Sequence, residues 1–199
     1  MRKSREEAAQ TRKRIVTAAS EEFRKKGIVA TGLNDLMSAA GLTHGGFYKH
    51  FESKDQLVAE AGAEAVKTIL EMLAAAASEK GGAAAAYLST GHRDNPATGC
   101  PLSAIGSELA RSDEKTRAAA TAGFLKLVEI MVGQFGKLPP ATARRRALVA
   151  VSTMIGALTM SRIVTDPELS AEILKEAEKS LTDSSRARPP LNRSPRNRG

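Results

Sequence analysis

The sequence predicts an all-α protein, and three observations support this. The residues are rich in Ala, Glu, Lys and Arg, which are good helix formers, and aromatic residues make up only 4% of the chain. Apolar residues recur every three to four positions over long stretches, which is the period of an amphipathic helix. Glycine and proline fall between these stretches, where they end or restart helices. With 199 residues, the chain can form a small domain joined to a larger one.

The first part of the chain predicts short helices separated by glycine. Gly27 ends the first helix as a C-terminal cap, and Thr31 is placed to cap the second. Ser53, followed three residues later by Gln56, forms a capping box at the start of a long helix. The predicted helices of this region are 6–26, 33–40, 44–50 and one that begins at residue 54.

The rest of the chain continues the helical pattern. The polar segment 91–99 is interpreted as a loop, and Ser112 as a helix cap. The last residues, 184–199, contain three prolines, five arginines and almost no apolar residues, which is typical of a solvated tail. The predicted helices are 54–78, 83–90, 103–111, 113–137, 141–164 and 167–181.

Positive charge is concentrated at the two ends of the chain. Counting Lys and Arg against Asp and Glu, residues 1–56 carry a net charge of +4, residues 57–183 carry −1 and residues 184–199 carry +5. An excess of cations on a small segment is typical of a polyanion-binding protein, because neutralising phosphates releases condensed counterions. A basic surface that only keeps the protein soluble is the alternative. We therefore expect a DNA-binding domain over 1–56, a ligand-binding and dimerisation domain over 57–183 and a basic flexible tail over 184–199.

The helix over 141–164 is apolar on more than one face. Such a helix must be covered on both sides, and a second copy of the chain would supply one of the covers. Apolar residues at three-four spacing on this helix and on the last helix are the candidate dimer contacts. They are Leu148, Val151, Ile155, Leu158, Ile173 and Leu174.

Residues 31–57 contain the clearest functional motif. Two short helices joined by the tight turn 41–43 predict a helix-turn-helix, in which the first residues of the second helix face the bases of the major groove. Here those residues are Thr43, His44, Gly45 and Gly46. Two glycines early in a helix cost about 1 kcal/mol each relative to Ala, so close approach to DNA explains them better than helix stability does. An ordinary helical hairpin is the alternative.

The same segment closely resembles the DNA-binding motif of the TetR family of transcriptional regulators. The matching residues are Thr31, Ala40-Gly41-Leu42, Thr43, Gly45, Phe47-Tyr48, His50-Phe51 and Ser53-Lys54. The resemblance implies that Thr43, His44 and Gly45 lie nearest the bases. It implies phosphate contacts from Thr31, Tyr48, His50 and Lys54. It also implies dimerisation through the last two helices and an effector pocket in the middle of the chain.

Cys100 is the single cysteine, so no intrachain disulfide is possible. Residues 99–102, followed by Gly106 and Glu108, resemble the N-ethylmaleimide-sensing branch of the TetR family. The resemblance implies a redox or electrophile sensor at Cys100, and a small buried hydrophobic residue is the alternative. A helix N-terminus, Arg93 or a protonated His92 would favour the thiolate if the fold brings them close.

Other chemistry finds little support in the sequence. The histidines His44, His50 and His92 form no pair at metal-ligand spacing, and no phosphate-binding glycine loop is present, so we expect no metal and no cofactor. No stretch of about 18 consecutive apolar residues is present, so we expect a cytoplasmic protein without a membrane partner. The predicted function is that of a homodimeric repressor, released from a palindromic double-stranded DNA operator by a small effector or by modification of Cys100. An activator with the same fold and an enzyme using Cys100 as nucleophile with His92 as base are the alternatives.

Overall fold

All regular structure in the computed structural model is helical within the residues it describes, which are 5–76, 82–136 and 138–186. This confirms the all-α prediction. Two short 3-10 helices, His44–Lys49 and Pro96–Thr98, interrupt the series of α-helices. The α-helices in chain order are α1 Arg5–Lys26, α2 Leu33–Ala39, α3 Lys54–Ala76, α4 Gly82–Tyr87, α5 Thr90–Asp94, α6 Pro101–Ala104, α7 Gly106–Leu109, α8 Glu114–Gln134, α9 Pro140–Ile163 and α10 Pro167–Arg186.

The predicted helix ends are correct where the local signal is strong. Gly27 follows α1 with a φ of +92°, a left-handed conformation that glycine adopts without strain. The Ser53 hydroxyl accepts a hydrogen bond from the Gln56 backbone N–H at 3.1 Å, as the capping box requires. The Gln56 side chain returns to the backbone N–H of Glu52, one residue before the expected position.

Two predicted caps are wrong because a neighbouring residue takes the role. Gly32, not Thr31, is the N-cap of α2, and the Asp35 carboxylate accepts the Gly32 backbone N–H at 3.3 Å. Asp113, not Ser112, caps α8, with its carboxylate accepting the Thr116 backbone N–H at 2.7 Å. A carboxylate at a helix N-terminus also interacts favourably with the helix dipole.

The predicted loop over 91–99 is wrong, because most of it is helical. The Ser89 hydroxyl caps α5 by accepting the backbone N–H of His92. The 3-10 helix Pro96–Thr98 follows, and the helix expected over 103–111 is split at Ile105 into α6 and α7. The last helix continues to Arg186, five residues beyond its expected end, and the greater part of the predicted tail, 187–199, lies outside the described residues.

The described residues form two hydrophobic cores that share the long helix α3. The first half of α3 packs in an N-terminal core with α1, α2 and the 3-10 helix His44–Lys49. The second half packs in a larger core with α4, α8, α9 and α10. Ile105 and Leu109, which flank and end α7, lie in the N-terminal core although they follow α3 by more than 25 residues. The two cores are therefore connected by α3 and by the segment that contains α7.

Helix α9 is long and apolar enough to cross a membrane by length and composition alone. The core helix of a soluble protein has the same properties, and α9 packs between α8 and α10. Its buried face contains Ala147, Val151 and Leu158, which belong to the larger core. We therefore interpret α9 as a core helix.

Candidate DNA-binding site and its neighbours

The 3-10 helix His44–Lys49 presents a polar edge to solvent and an aromatic anchor to the core. We call it the recognition helix. Phe47 is fully buried and stacks on Phe51, with ring centroids 5.6 Å apart. The next residue, Tyr48, is 69% exposed and meets Phe47 edge-on. Thr43 and Gly45 are also exposed, and a Cβ added at Gly45 would meet no atom within 4 Å. No packing within the described part of the protein therefore explains the glycine at position 45.

Arg12 of α1 fixes the position of the recognition helix relative to α3. Its guanidinium binds both carboxylate oxygens of Glu60, with one contact at 2.6 Å. Its Nε donates to the backbone carbonyl of His50 at 3.3 Å, and the guanidinium lies 4.5 Å from the centre of the Phe51 ring. The hydrogen bonds with Glu60 raise the Arg12 pKa, so the cation persists. Sequence reasoning missed this residue, because nothing in the linear pattern links Arg12 with Glu60.

Two of the predicted phosphate ligands face inward instead. Thr31 is fully buried, and its hydroxyl donates to the Gly27 carbonyl at 2.6 Å. The prediction that Thr31 contacts a phosphate is wrong in this conformation, because no part of the residue reaches solvent. The Lys54 ammonium donates to the carbonyls of Ile28 and Thr31 at 2.6 and 2.7 Å. This geometry favours a structural role for Lys54, which holds the loop between α1 and α2 against the start of α3.

The other predicted contacts lie on the recognition helix or directly next to it in the chain. Thr43, Gly45 and Tyr48 are exposed there and His50 is half-buried, while the His44 side chain lies outside the described part of the structure. Lys49 is exposed on the same helix and adds a cation that the sequence analysis did not single out. Its position next to Tyr48 could have identified it.

Two family models match successive parts of the chain. Residues 15–61 match the family model described as bacterial regulatory proteins, tetR family. Residues 62–176, more than half of the chain, match the C-terminal domain of LmrA/YxaF-like transcriptional regulators. This chain belongs to the TetR family. It is a DNA-binding transcriptional regulator with an N-terminal helix-turn-helix and a C-terminal helical region, and the family is not one of enzymes.

Individual TetR proteins match either a short part of this chain or most of it. The regulator TtgR of Pseudomonas putida is 43% identical over 58 residues, which are 29% of this chain and 28% of TtgR. A TetR regulator from Chloroflexus aurantiacus is 26% identical, with a TM-score of 0.72 over 89% of this chain and 95% of that one. The reduced form of Escherichia coli NemR is 18% identical, with a TM-score of 0.71 over 87% of this chain and 96% of NemR. That similarity shows a shared fold, and the N-ethylmaleimide-sensing branch stays a prediction.

Cys100 lies in the interior of this TetR protein, between α5 and α6. It is fully buried, and burial raises the pKa of its thiol. Its backbone N–H donates to Nε2 of His92 at 2.9 Å, and Nδ1 of His92 lies 2.7 Å from the carbonyl of Tyr87. The ring is therefore protonated at Nδ1 and accepts at Nε2. Burial lowers the pKa of His92 to about 4, so the imidazole is neutral near pH 7.

The condition for activation of the Cys100 thiol is not met by His92, and Arg93 is engaged in another contact. His92 is neutral and binds the backbone of Cys100, so it is neither a nearby cation nor a base on the sulfur. Arg93 pairs with Asp94, with the Nε to Oδ1 distance at 2.7 Å. This arrangement also argues against the alternative of a Cys100–His92 enzyme.

The cations near Cys100 are two arginines that sequence reasoning missed. Arg24 of α1 is almost fully buried and donates to the Gly99 carbonyl at 2.7 Å. Arg162 of α9 donates to the carbonyls of His92 and Arg93 at 2.7 and 3.0 Å. Both arginines therefore hold backbone segments around Cys100, and Arg24 does so from the DNA-binding region. Long sequence separations, such as the 75 residues between Arg24 and Gly99, explain why no local pattern showed these contacts.

Most predicted dimer contacts belong to the core of the single chain. Val151, Leu158 and Leu174 are at most 3% exposed, so their assignment to an interface is wrong. Leu148 and Ile155 are half-buried against the same core, and Ile173 is half-buried. Leu169, near the start of α10, is exposed, and so is a different face of α9. We call it the exposed stripe, and it contains Val149, Ser152, Gly156, Met160 and Ile163.

An apolar groove of about 360 Å³ opens between α7, α8 and α9. Leu102, Leu109 and Ala120 line it and also line a smaller, partly enclosed pocket of about 10 Å³ beside α3. Among the described residues, no group of His, Cys, Asp or Glu could hold a metal ion. The groove is one candidate place for an apolar ligand in the C-terminal region.

Proposed function

We propose that this TetR protein is a cytoplasmic repressor that binds operator DNA through the exposed edge of the recognition helix. The observation that carries the proposal is the contrast between buried Phe47 and exposed Thr43, Gly45 and Tyr48. The buried ring fixes the helix, so the exposed residues can meet base edges and phosphates in a defined register. The open space at Gly45 allows the backbone to approach the bases closely.

The repressor acts as a homodimer on a palindromic operator. The exposed stripe of α9 is apolar at its two ends and small in its middle, where Ser152 and Gly156 allow another helix to approach closely. A two-fold axis through this face relates two protomers and therefore two recognition helices. These helices contact two DNA half-sites that lie about one turn of the double helix or more apart. The second copy thus buries one face of α9, as the sequence predicted. This face is the exposed stripe and not the face with Val151 and Leu158.

A small effector is the trigger that the geometry supports better than modification of Cys100. Regulators of this family bind small-molecule effectors as well as operator DNA. The Cys100 thiol is buried and its pKa is raised, so it reacts only when the surrounding segment opens. We expect N-ethylmaleimide to modify the folded protein slowly, and mass spectrometry to show fast modification only in denaturant. Fast modification of the folded protein, with loss of DNA binding that Cys100→Ser prevents, would restore the cysteine as the trigger.

Transcription in vitro tests the repressor assignment. The template carries a genomic fragment that the purified protein retains. The fragment keeps its natural position relative to the promoter beside it. We expect the protein to lower the amount of transcript, and Tyr48→Ala, which keeps the fold, to have a much weaker effect. A rise in transcript with the wild-type protein would instead identify an activator with the same fold.

A further inference from the structure

Three consecutive arginines lie near the start of α9, at positions 144–146. Arg144 and Arg145 are exposed, and neither forms a hydrogen bond or ion pair with another residue of the described structure. Helix α9 contains no Asp or Glu, so no carboxylate three or four residues away on the helix pairs with them. Helix stability therefore does not explain the run, and its charge is available to a partner.

The end of α10 brings a second arginine-rich segment to the same place. Two arginines of the run line an opening of about 330 Å³ together with Leu181 of α10. Arg186 ends α10, about one and a half turns of helix after Leu181. Residues 187–199, outside the described structure, continue the chain with four more arginines and no Asp or Glu. We call residues 144–146 together with 186–199 the arginine-rich end.

The arginine-rich end lies far from the recognition helix. Near the other end of α9, Arg162 donates to two backbone carbonyls of α5. The Gly99 carbonyl, which follows α5 in the chain, receives Arg24 from α1 of the DNA-binding region. Arg145 precedes Arg162 by 17 residues on the same helix, which corresponds to about 25 Å. A duplex in contact with the recognition helix is therefore beyond the reach of the arginines on α9.

The composition of the arginine-rich end suits the phosphate backbone of nucleic acid. Its eight cations are all arginines, whose planar guanidinium binds phosphate oxygens in pairs. The preceding part of α10, residues 172–183, carries four acidic residues and two lysines, so the combined net charge is still +6. An anionic membrane is a poorer match, because peripheral membrane binding uses aromatic and large apolar side chains beside the cations. Residues 186–199 contain no aromatic residue and one large apolar residue, Leu191.

We propose that the arginine-rich end binds a second DNA duplex through its phosphates, without sequence preference, while the recognition helix holds the operator. The protein is a DNA-binding regulator, so further duplex is present wherever it is bound. In the proposed dimer, the two-fold axis puts both recognition helices on one side, and both arginine-rich ends face away from the operator. The protein thus joins two DNA segments, an activity that goes beyond operator binding and needs no effector.

Binding by the arginine-rich end alone is tested in the full chain carrying Tyr48→Ala and Lys49→Ala, which weaken the recognition helix. The probe is a short duplex of random sequence, titrated at several salt concentrations. We expect Arg144→Ala with Arg145→Ala to lower the slope of log affinity against log salt by about two units, because each phosphate contact contributes about 0.9. Deletion of residues 187–199 removes four arginines and should lower it by about three to four units.

Removal of two cations elsewhere is the matched control for these slopes. Lys67 on α3 and Lys126 on α8 are exposed, and neither belongs to the arginine-rich end. We expect Lys67→Ala with Lys126→Ala to leave the slope unchanged in the same background, and circular dichroism to show that all variants are folded. An equal slope for the arginine variants and this control would overturn the proposal.

The joining of two duplexes is tested on beads that carry a DNA fragment retained by the wild-type protein from a random pool. The beads are loaded with protein and washed, and a labelled duplex of random sequence is added. We expect loaded beads to capture this duplex. Capture should fall to the level of protein-free beads when Arg144→Ala and Arg145→Ala are combined with deletion of residues 187–199. No capture by the wild type, or equal capture by this combined variant, would contradict the proposal.

Vesicles of phosphatidylserine and phosphatidylcholine distinguish a membrane from DNA as the partner. If the combined variant loses vesicle binding but still captures the second duplex, the partner is an anionic membrane and the proposal fails. If the wild type retains no fragment from the pool, the proposed repressor function fails instead. The salt slopes then still decide whether the arginine-rich end binds DNA.

Discussion

At the scale of single residues, positions that look alike in the sequence differ in their burial. Phe47 and Tyr48 are adjacent aromatic residues, yet one is fully buried and the other is 69% exposed. Thr31 and Thr43 are both threonines next to short helices, yet Thr31 is enclosed by its own loop and Thr43 faces solvent. Only the exposed member of each pair can bind DNA without a change of fold.

Removal of the Tyr48 side chain should therefore weaken DNA binding without destabilising the protein. We expect Tyr48→Ala to reduce affinity by about 1 to 3 kcal/mol for operator and scrambled DNA alike, because a phosphate contact carries no sequence information. Lys49→Ala should lower the slope of log affinity against log salt by about one unit. Titrations at several salt concentrations check both, with Lys126→Ala on α8 as the control. Unchanged affinity in both variants would exclude this edge as the DNA-binding surface.

Lys54 should behave in the opposite way to Tyr48, as a determinant of stability. Its ammonium donates to two backbone carbonyls, and hydrogen bonds to charged groups contribute about 1.5 to 3 kcal/mol. We expect Lys54→Ala to lower the free energy of unfolding by about 2 kcal/mol in urea titrations. Lys67→Ala, at an exposed position of the same helix, should change it very little. An equally small change for Lys54→Ala would show that the two contacts are not maintained in solution.

His92 should make the stability of the protein depend on pH between about 6.5 and 4. Burial lowers its folded-state pKa from 6.5 to about 4, so the unfolded chain takes up a proton in this range and the folded protein does not. The stability that neutral His92 contributes is complete above pH 6.5 and decreases as the pH falls, by about 3 kcal/mol at pH 4. We expect urea titrations of His92→Gln to show a flatter pH dependence than the wild type. Parallel curves would mean that His92 titrates normally in the folded protein.

At the scale of helices, sequence patterns located most elements but not their partners. Glycine at position 27 and the Ser53–Gln56 pair act within one turn, so the sequence alone located the end of α1 and the start of α3. The helices α5 and Pro96–Thr98 were missed because their residues are polar. Their stability depends on His92 turning inward toward Tyr87 and Cys100, which no local pattern shows.

The dimer face shows the same limit of periodicity. Apolar residues on two faces of α9 predicted that both faces are buried. The spacing did not show which face packs against the same chain and which packs against a second copy. The structure buries Val151 and Leu158 against α8 and α10 and leaves Val149 and Met160 exposed. Contacts between distant segments, such as Arg12 with Glu60, could not be predicted either, because local spacing does not show which segments pack together.

The exposed stripe on α9 makes the dimer testable with matched substitutions. We expect Met160→Glu to yield a folded monomer, because the charge is buried only in the dimer. Leu125→Glu, at a comparably exposed apolar position on α8, should leave the dimer intact. Leu158→Glu should unfold the chain, since Leu158 is fully buried in the protomer core. Sedimentation and circular dichroism check all three, and a wild-type protein that sediments as a monomer at micromolar concentration would contradict the interface.

At the scale of the whole molecule, several contacts join the DNA-binding region to the rest of the described protein. Helix α3 runs through both cores, Arg24 binds the carbonyl before Cys100, and Glu108 binds the loop after α1. The last two contacts reach the two ends of the segment 99–108, one from α1 and one from the loop after it.

The central claim is that two copies of this chain read DNA through paired recognition helices, and selection from a random double-stranded DNA pool tests it most directly. The purified full-length protein should enrich an inverted repeat whose half-sites are centred about 34 to 36 Å apart or somewhat more. Tyr48→Ala protein should enrich far fewer fragments at the same concentration. No enrichment by the wild type, or enrichment of a single half-site without symmetry, would contradict the account.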